Sequence, residues 1–229
     1  MQISNSHRFI FVHIPKTAGS SIENALLPYC SVHPWKGLNF QLSRLPIRQS
    51  AERVILRRHV TARWAKIKLA PEVFDSYLKF AVVRNPYDRA ISHYHWLKED
   101  PTQSRYQRAQ TMSFLEFLQD YERRQRFHDE RQARYITDAA GKLIVDYLIR
   151  FENLAEEFGL LMDKLGLGQQ VSLPWDNASK RRGYEEHFED PEVLALTRKI
   201  FARDFEYLGY DLDVKNRFPT SSLASIRAG

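Results

Sequence analysis

The stretch RFIFVHIPKTAGSSIENALL, residues 8–27, constrains the fold of this chain more than any other segment. Its apolar run indicates a buried strand over residues 8–14, and a polar turn with one glycine, Gly19, follows. The apolar positions of residues 20–27 then have helical spacing, and Pro28 ends the helix. A strand, a glycine-containing turn and a helix in direct succession begin a βαβ unit, so a sheet with parallel strands is predicted.

Three further apolar runs are predicted to be strands. They are RVILRRHV at 53–60, YLKFAVVR at 77–84 and KLIVDYLIRF at 142–151. After the third run, Asn85 is a predicted N-cap, with Pro86 at the first helical position and Asp88 in the first turn. After the fourth run, Asn153 and Glu156 have capping-box spacing and Gly166 is a predicted C-cap. The segment 190–210 is amphipathic and is predicted to be helical. Strands that alternate with helices predict a mostly parallel sheet covered on both faces, and hence an α/β fold.

The organisation of the chain predicts one domain over residues 1–214 and a loose tail over 215–229, where the periodicity is lost. No window approaches the roughly 18 consecutive apolar residues of a membrane helix, and the N-terminus has no basic head before a long apolar stretch. We therefore expect a soluble, cytoplasmic protein without a membrane span. Cys30 is the only cysteine, which excludes an intrachain disulfide and a cysteine-based zinc cluster.

The chain is basic, with 34 Lys and Arg against 28 Asp and Glu and a net charge of +6. The excess is concentrated in one basic strip, which contains a single acid, Glu52, and eight basic residues. These are Arg44, Arg48, Arg53, Arg57, Arg58, Arg63, Lys66 and Lys68. Such a strip favours anionic ligands, but charge alone does not indicate nucleic acid, and no nucleic-acid partner is predicted.

The turn PKTAGSS at 15–21 has the composition of an anion-binding loop at a helix N-terminus, where unpaired N–H groups and the helix dipole attract negative charge. Its backbone is predicted to surround a tetrahedral group, with Gly19 permitting close approach and Lys16 as a mobile cation. The hydroxyl donors are Thr17, Ser20 and Ser21. The ATP-binding pattern G-x-x-x-x-G-K-[ST] is not present.

A second strand–corner–helix motif is FAVVRNPYDRAISHYHW at 80–96. It places Arg84 at a strand end, where a parallel sheet presents its ligands, and Ser92 about two helical turns later. An arginine and a serine in these positions suit a second phosphate. Two anion sites at the carboxyl ends of two strands indicate a ligand with two separated phosphate-like groups.

These two motifs, in this order, resemble those of the sulfotransferases that use 3′-phosphoadenosine 5′-phosphosulfate (PAPS), especially the carbohydrate branch of heparan and chondroitin type and its bacterial relatives. FVHIPKTAGSS is similar to the 5′-phosphosulfate loop of the family, and the 80–96 motif to its 3′-phosphate motif. RRHVTARWAKIKL resembles the segment that carries the catalytic histidine, and YLIRFENLAEEFGLLMDKLGL and RDFEYLGYD resemble later family segments. The resemblance covers most of the chain and implies a three-layer α/β sandwich related to the P-loop nucleotide kinases.

The resemblance implies a role for each matching residue. Lys16 contacts the phosphosulfate and neutralises the leaving phosphate, and Arg84 and Ser92 hold the 3′-phosphate. The residues that cradle the phosphosulfate are Thr17, Ala18, Gly19, Ser20 and Ser21. The segment SKRRGY at 179–184 lies where relatives close a loop over the nucleotide, which adds Lys180, Arg181 and Arg182 to the cofactor-binding residues. Relatives often have Gly-Gly or Gly-Thr in the first loop, where this chain has Ala-Gly-Ser.

In the implied reaction a sulfuryl group passes in line from PAPS to an acceptor hydroxyl and leaves adenosine 3′,5′-bisphosphate (PAP). The leading acceptor is a carbohydrate, and an acidic glycan or a small hydroxyl compound fits the pattern. Lys16 and the helix N-terminus supply positive charge, so no metal is called for. A base of near-neutral pKa suits the acceptor proton. His59 matches the family position, and like-charge repulsion by the neighbouring Arg57, Arg58 and Arg63 is expected to favour its neutral form. His13 and Glu23 are the alternatives.

Two other functions are compatible with parts of the pattern. A nucleotide or small-molecule kinase shares the fold class, but the missing G-x-x-x-x-G-K and the lack of a metal-holding aspartate at a strand end argue against it. A non-catalytic module could bind polyanions through the basic strip alone, without an anion loop or a base.

Overall fold

The computed structural model describes residues 1–31, 41–168, 170–171, 173 and 185–217. Four strands of this part of the chain form one sheet in the order β1-β2-β3-β4. Their bounds are Gln2–Ser4 (β1), Phe9–Val12 (β2), Leu78–Val83 (β3) and Tyr147–Arg150 (β4). β1 pairs with β2 antiparallel, whereas β3 is parallel to both β2 and β4. The predicted α/β class is confirmed, with a small mixed sheet whose three longer strands are parallel.

Helices connect and follow these strands. Their bounds are Gly19–Leu26 (α1), Ala62–Lys68 (α2), Pro71–Ser76 (α3), Pro86–Glu99 (α4), Tyr106–Thr111 (α5), Phe114–Gln125 (α6), Gln132–Ile136 (α7), Leu154–Lys164 (α8), Pro191–Ile200 (α9) and Ala202–Leu208 (α10). In the part of the chain that the structure describes, no helix has the length and apolar character needed to cross a membrane. The three-layer arrangement related to nucleotide kinases stays a prediction.

The chain divides into two compact units. The first consists of Met1–Val83 and the described part of Arg134–Asp176, and it contains the sheet. The second consists of Arg84–Ala133 and the described part of Asn177–Leu223. The single domain over 1–214 stays a prediction, and most of the predicted tail, residues 218–229, lies outside the described residues.

The core of the first unit forms around β2, whose four residues are all buried. The rings of Phe9 and Phe11 contact that of Phe80 on β3, with centroids 5.8 and 5.1 Å apart. Ile22 and Leu26 of α1 join the same cluster, together with four residues of α8, which are Leu154, Phe158, Leu161 and Met162. A strand that is covered on both faces needs apolar side chains in both directions, which explains the continuous apolar run in the sequence.

The second unit has an aromatic core. The ring of Tyr87 on α4 lies 4.8 Å from those of both Phe188 and Phe205, measured between centroids. The Tyr121 ring on α6 lies 5.3 Å from that of Phe201. The segment 190–210 is helical as predicted, but it consists of two helices, α9 and α10, that are separated at Phe201.

The run RVILRRHV at 53–60 is not a strand, so that prediction was wrong. Its apolar residues are buried, but their backbone hydrogen bonds do not form a ladder. The N–H of Val54 donates to the carbonyl of Ser50 at 2.9 Å, and that of Ile55 donates to the side chain of Gln49 at 3.1 Å. The apolar run therefore predicted burial correctly, but a segment becomes part of a sheet only where a neighbouring strand pairs with its backbone.

The predicted helix ends divide into confirmed and wrong ones. Asn85 caps α4 by accepting from the N–H of Tyr87 at 3.0 Å. Gly166 ends α8 with a φ of 72°, the left-handed conformation that favours glycine. Asn153 precedes α8 but makes no side-chain cap, so the predicted capping box is wrong. The chain enters α8 through a 3₁₀ turn, Phe151–Asn153, which sets the Asn153 backbone differently from an ordinary N-cap.

Candidate active site

The loop between β2 and α1 contains two strained residues. Lys16 has a φ of 70° and Ala18 a φ of 62°, both in the left-handed region that side chains other than glycine rarely adopt. The carbonyl of Ala18 accepts from the N–H groups of Ser21 and Ile22, at 3.1 and 3.3 Å, which starts α1. Alternating handedness directly before a helix produces the backbone concavities that bind anions, and such strain collects at functional sites.

The hydroxyl groups of the loop have different surroundings. Thr17 is fully buried, and its Oγ1 donates to the carbonyl of Ile14 at 2.9 Å, so this hydroxyl proton is engaged within the turn. Ser20 is exposed, and its Oγ accepts from Nη2 of Arg58 at 2.7 Å. Ser21 is half-buried. The two serines remain the predicted hydroxyl donors, whereas the predicted contribution of Thr17 is reduced to its backbone.

Gly19 admits the ring of His13. A Cβ atom at position 19 would lie 2.1 Å from both Cδ2 and Nε2 of that ring, closer than any real contact. The φ of Gly19 is not among the positive ones of the chain, so close approach rather than backbone conformation requires the glycine here. The His13 ring is itself nearly fully buried and stacks on Phe11, with centroids 5.8 Å apart.

Glu23, one turn into α1, is surrounded by the guanidinium of Arg58 and by two basic groups, His13 and the Met1 amino group, whose pKa values burial lowers. Its Oε1 lies 2.8 Å from Nδ1 of His13, an ion-pair distance without a well-aligned hydrogen bond. Its Oε2 accepts from Nε of Arg58 at 2.7 Å, and the amino group of Met1 lies 3.6 Å from Oε1. Desolvation would raise the pKa of Glu23, but His13, the amino group and Arg58 lower it to about 2. Glu23 is therefore an ionised carboxylate at neutral pH.

His59 lies against the same cluster. Its Nδ1 is 3.2 Å from the carbonyl oxygen of His13, and the two imidazole rings have centroids 4.4 Å apart. A carbonyl oxygen only accepts, so Nδ1 must carry the proton, and the lone pair of the neutral ring is on Nε2. Desolvation first, and the charge of His13 second, lower the pKa of His59 to about 4. The residue is nevertheless exposed to solvent, and its ring is neutral at pH 7.

The expected reason for a neutral His59 needs a correction. The sequence suggested repulsion by Arg57, Arg58 and Arg63. Desolvation by burial is the main cause of the lowered pKa of His59, and Arg58 is only a minor one. Arg58 has a different part in the site, because it joins Ser20 to Glu23. Sequence reasoning did not single it out, since it was one of eight similar cations in the basic strip.

The basic strip is smaller than its sequence indicates. Lys68 is fully buried, and its Nζ donates to the carbonyl of Leu42 at 2.6 Å. Desolvation lowers the pKa of Lys68 accordingly. The exposed members are Arg44, Arg48, Arg53, Arg57, Arg58, Arg63 and Lys66.

A pocket of the first unit adjoins Glu23 and Arg58. Its apolar lining residues are Met1, Ile3, Leu27, Val54, Ile55 and Leu56. Gln2 and Ser31 add polar groups to the lining. An apolar recess with a few charged groups at one side is the usual construction of a small-molecule site.

The second predicted anion site belongs to the second unit. Arg84 and Ser92 are both buried, at 5% and 6% exposure. Nε of Arg84 donates to Oδ2 of Asp88 at 2.6 Å, so the guanidinium is paired along one edge. Lys180, Arg181 and Arg182, the cations predicted to close over the nucleotide, lie outside the described residues.

Comparison with known proteins gives an independent assignment. The model of the Sulfotransferase family matches residues 1–211. An uncharacterized protein of Archaeoglobus fulgidus is 28% identical over 114 residues, which cover 49% of this chain and 87% of that protein. No solved structure matches the chain significantly. Since the family match spans the strand–loop–helix of the anion loop, the His59 segment and the Arg84 motif, the chain belongs to the sulfotransferase family.

Proposed function

We propose that this protein transfers the sulfuryl group of PAPS to an acceptor hydroxyl, with a carbohydrate as the leading acceptor class. The observation that carries the proposal is the position of His59 beside the anion loop. Its Nδ1 contacts the carbonyl of His13, the residue whose ring packs on Gly19. The loop supplies a site for the phosphosulfate and His59 supplies a proton acceptor, which are the two parts that transfer to a hydroxyl needs.

The two anionic groups of PAPS, the 5′-phosphosulfate and the 3′-phosphate, are assigned to different residues. The 5′-phosphosulfate is assigned to the loop of the first unit, where the first N–H groups of α1 lack intrahelical acceptors. Lys16 is assigned to the leaving phosphate. The 3′-phosphate is assigned to Arg84 and Ser92 of the second unit. The left-handed conformations of Lys16 and Ala18 support the assignment of the phosphosulfate to the loop of the first unit, since such strain clusters at ligand-binding sites.

The surroundings of the three alternative bases favour His59. Both carboxylate oxygens of Glu23 are already engaged, Oε2 with Nε of Arg58 at 2.7 Å and Oε1 with Nδ1 of His13 at 2.8 Å, so this side chain is committed to holding the cluster. The His13 ring is only 3% exposed, and its Nε2 edge faces Gly19, which leaves little room for an acceptor. His59 is exposed and neutral with its lone pair on Nε2.

In the proposed step the acceptor oxygen forms a bond to sulfur while the bond from sulfur to the 5′-phosphate oxygen breaks. PAP leaves with the bonding electron pair, and Lys16 offsets the charge that develops on its phosphate. The hydroxyl proton passes to Nε2 of His59, and the exposed ring then releases it to solvent. Positioning and charge stabilisation carry most of the rate enhancement, as in phosphoryl transfer.

Two features bear on the acceptor. The exposed cations of the basic strip support an acidic glycan, whose carboxylate or sulfate groups they would attract. The apolar pocket beside Glu23 and Arg58 supports a small hydroxyl compound with an apolar body. Sulfuryl transfer assays with PAPS and matched acidic, neutral and apolar acceptors would distinguish the two.

Thermal melting with three ligands tests the class of protein. PAP without magnesium should raise the melting temperature, because a ligand that binds only the folded state stabilises it. ATP with magnesium and a polyanion such as heparin should raise it less. A larger shift with magnesium-ATP would indicate a kinase, and a shift with the polyanion alone would indicate a binding module. Either result would contradict the proposal.

A further inference from the structure

One side chain holds both backbone polar atoms of Arg84. The N–H of Arg84 donates to Oε1 of Gln132 at 2.9 Å, and Nε2 of Gln132 donates to the carbonyl of Arg84 at 2.8 Å. Gln132 is fully buried and Arg84 nearly so. The amide of Gln132 thus pairs with this residue as the backbone of a neighbouring strand would, in the first position after β3 ends.

Gln132 is fixed in turn by Asp204 of α10. The N–H of Gln132 donates to Oδ2 of Asp204 at 2.9 Å, and that of Ala133 donates to Oδ1 at 2.8 Å. Asp204 is fully buried, so both of its carboxylate oxygens are used to hold this one corner of the chain. A buried carboxylate is costly unless its oxygens are satisfied, and the two N–H groups satisfy them.

The side chain of Arg84 and the next residue, Asn85, are also held by hydrogen bonds. The guanidinium of Arg84 is oriented by its bond from Nε to Asp88 at 2.6 Å. Asn85 caps α4 with its Oδ1 and donates with its Nδ2 to the carbonyl of Arg217 at 3.1 Å. The backbone of Arg84 is therefore held by Gln132, 48 positions away, and its side chain by Asp88, four positions away.

We propose that Gln132, held by Asp204, is a positioning residue that orients Arg84 toward the 3′-phosphate of the nucleotide. The inference rests on the proposed function, in which Arg84 binds that phosphate. A cation that is ordered before binding loses less conformational freedom when the ligand arrives, so the affinity gained is specific to the group it meets. Gln132 then contributes to the selectivity for 3′-phosphorylated nucleotides without contact with the ligand.

The test compares two nucleotides on the full-length protein by isothermal titration calorimetry. Gln132→Met keeps the length of the side chain and removes both amide hydrogen bonds to Arg84. This variant should bind PAP about tenfold more weakly than wild type. Its affinity for adenosine 5′-monophosphate, which lacks the 3′-phosphate, should be unchanged. Gln125→Met is the matched control, because Gln125 belongs to the same unit and its amide donates to the carbonyl of Ile200 instead of to Arg84. It should change neither affinity.

A second variant keeps the test open if Gln132→Met does not fold. Asp204→Asn keeps Gln132 itself but replaces one of the two carboxylate oxygens that accept from N–H groups by an NH2 group, which cannot accept. The affinity for PAP should fall selectively, by a smaller factor than in Gln132→Met. Equal losses for both nucleotides, or no loss, would overturn the inference. A wild-type protein that does not distinguish PAP from adenosine 5′-monophosphate would instead contradict the proposed function, and that result is visible before any variant is made.

Discussion

The Nδ1 atom of His59 lies 3.2 Å from the carbonyl oxygen of His13, and this contact joins the proposed base to the strand that leads into the anion loop. It fixes the tautomer, because a carbonyl requires a donor, and it leaves Nε2 as the basic nitrogen. The same His13 contacts Gly19 through the edge of its ring that carries Cδ2 and Nε2. One residue thus relates the base to the loop that is assigned to the donor.

Replacement of His59 by alanine should lower kcat by about 10²–10⁴, the usual contribution of a general base. The affinity for PAP should stay within error of wild type, since His59 is assigned to neither phosphate. Steady-state sulfuryl transfer and calorimetric titration with PAP on the same variant check both statements. His128→Ala, a change at an exposed histidine of the second unit, is the control. Loss of PAP binding along with the rate would make His59 part of the donor site.

The pH dependence should reflect the lowered pKa of His59. The protonated ring cannot accept a proton, so kcat/KM should fall as the pH falls through the pKa, and the acid limb should lie below the ordinary value of about 6.5. The unfolded chain binds this proton at higher pH than the folded one. His59 therefore makes the free energy of unfolding decrease as the pH falls from about 6.5 to about 4. Urea titrations of wild type and His59→Ala across this range test the sign, and a parallel dependence in both would contradict it.

Replacement of Gly19 by alanine should disrupt the loop. The added Cβ would lie 2.1 Å from the buried ring of His13, so the ring or the loop backbone must move. We expect a lower melting temperature by several degrees, weaker PAP binding and loss of turnover. Gly159→Ala in α8 is the matched control, because nothing lies within 4 Å of its Cβ position and alanine favours helices. A variant at position 19 that behaves like the one at 159 would show that the contact is dispensable.

Replacement of Lys16 by alanine should remove nearly all turnover, by about 10²–10³, while the fold remains intact. The physical reason is loss of the cation assigned to the leaving phosphate, where charge develops as the sulfur–oxygen bond breaks. Lysine and alanine adopt the left-handed conformation of position 16 at similar cost in free energy, so the melting temperature should change little. Single-turnover rates with PAPS and thermal melting provide the two measurements. Wild-type rates in this variant would remove Lys16 from the mechanism.

The exposed cations of the basic strip should make the acceptor KM depend on salt if the acceptor is an acidic glycan. Exposed charges are screened over a Debye length of about 10 Å at 0.1 M salt, so KM should rise steeply with ionic strength. Arg63→Glu combined with Lys66→Glu should raise KM further at low salt and leave PAP affinity unchanged. A neutral acceptor measured in parallel controls for effects on the donor. A salt-independent KM for the acidic acceptor would favour a basic face without a role in binding it.

Sequence alone determined the features whose causes lie within a few residues. The alternation of strands and helices, the cap at Asn85 and the left-handed Gly166 follow from apolar periodicity and from short side-chain to backbone contacts. The strand–loop–helix pattern of residues 8–27 is local in the same sense, and the structure has β2, a loop and α1 in that order. Where the local pattern was only apolar, as at 53–60, it predicted burial correctly and sheet membership wrongly.

Tertiary structure alone decided the contacts between distant residues. His59 and His13 are 46 positions apart, Gln132 and Arg84 are 48, and Asp204 and Gln132 are 72. It paired Glu23 with Arg58, buried Lys68, and fixed the tautomer of His59. No local propensity records these outcomes, because a pKa, a tautomer or a buried hydrogen bond depends on which groups the folded chain brings within a few ångströms.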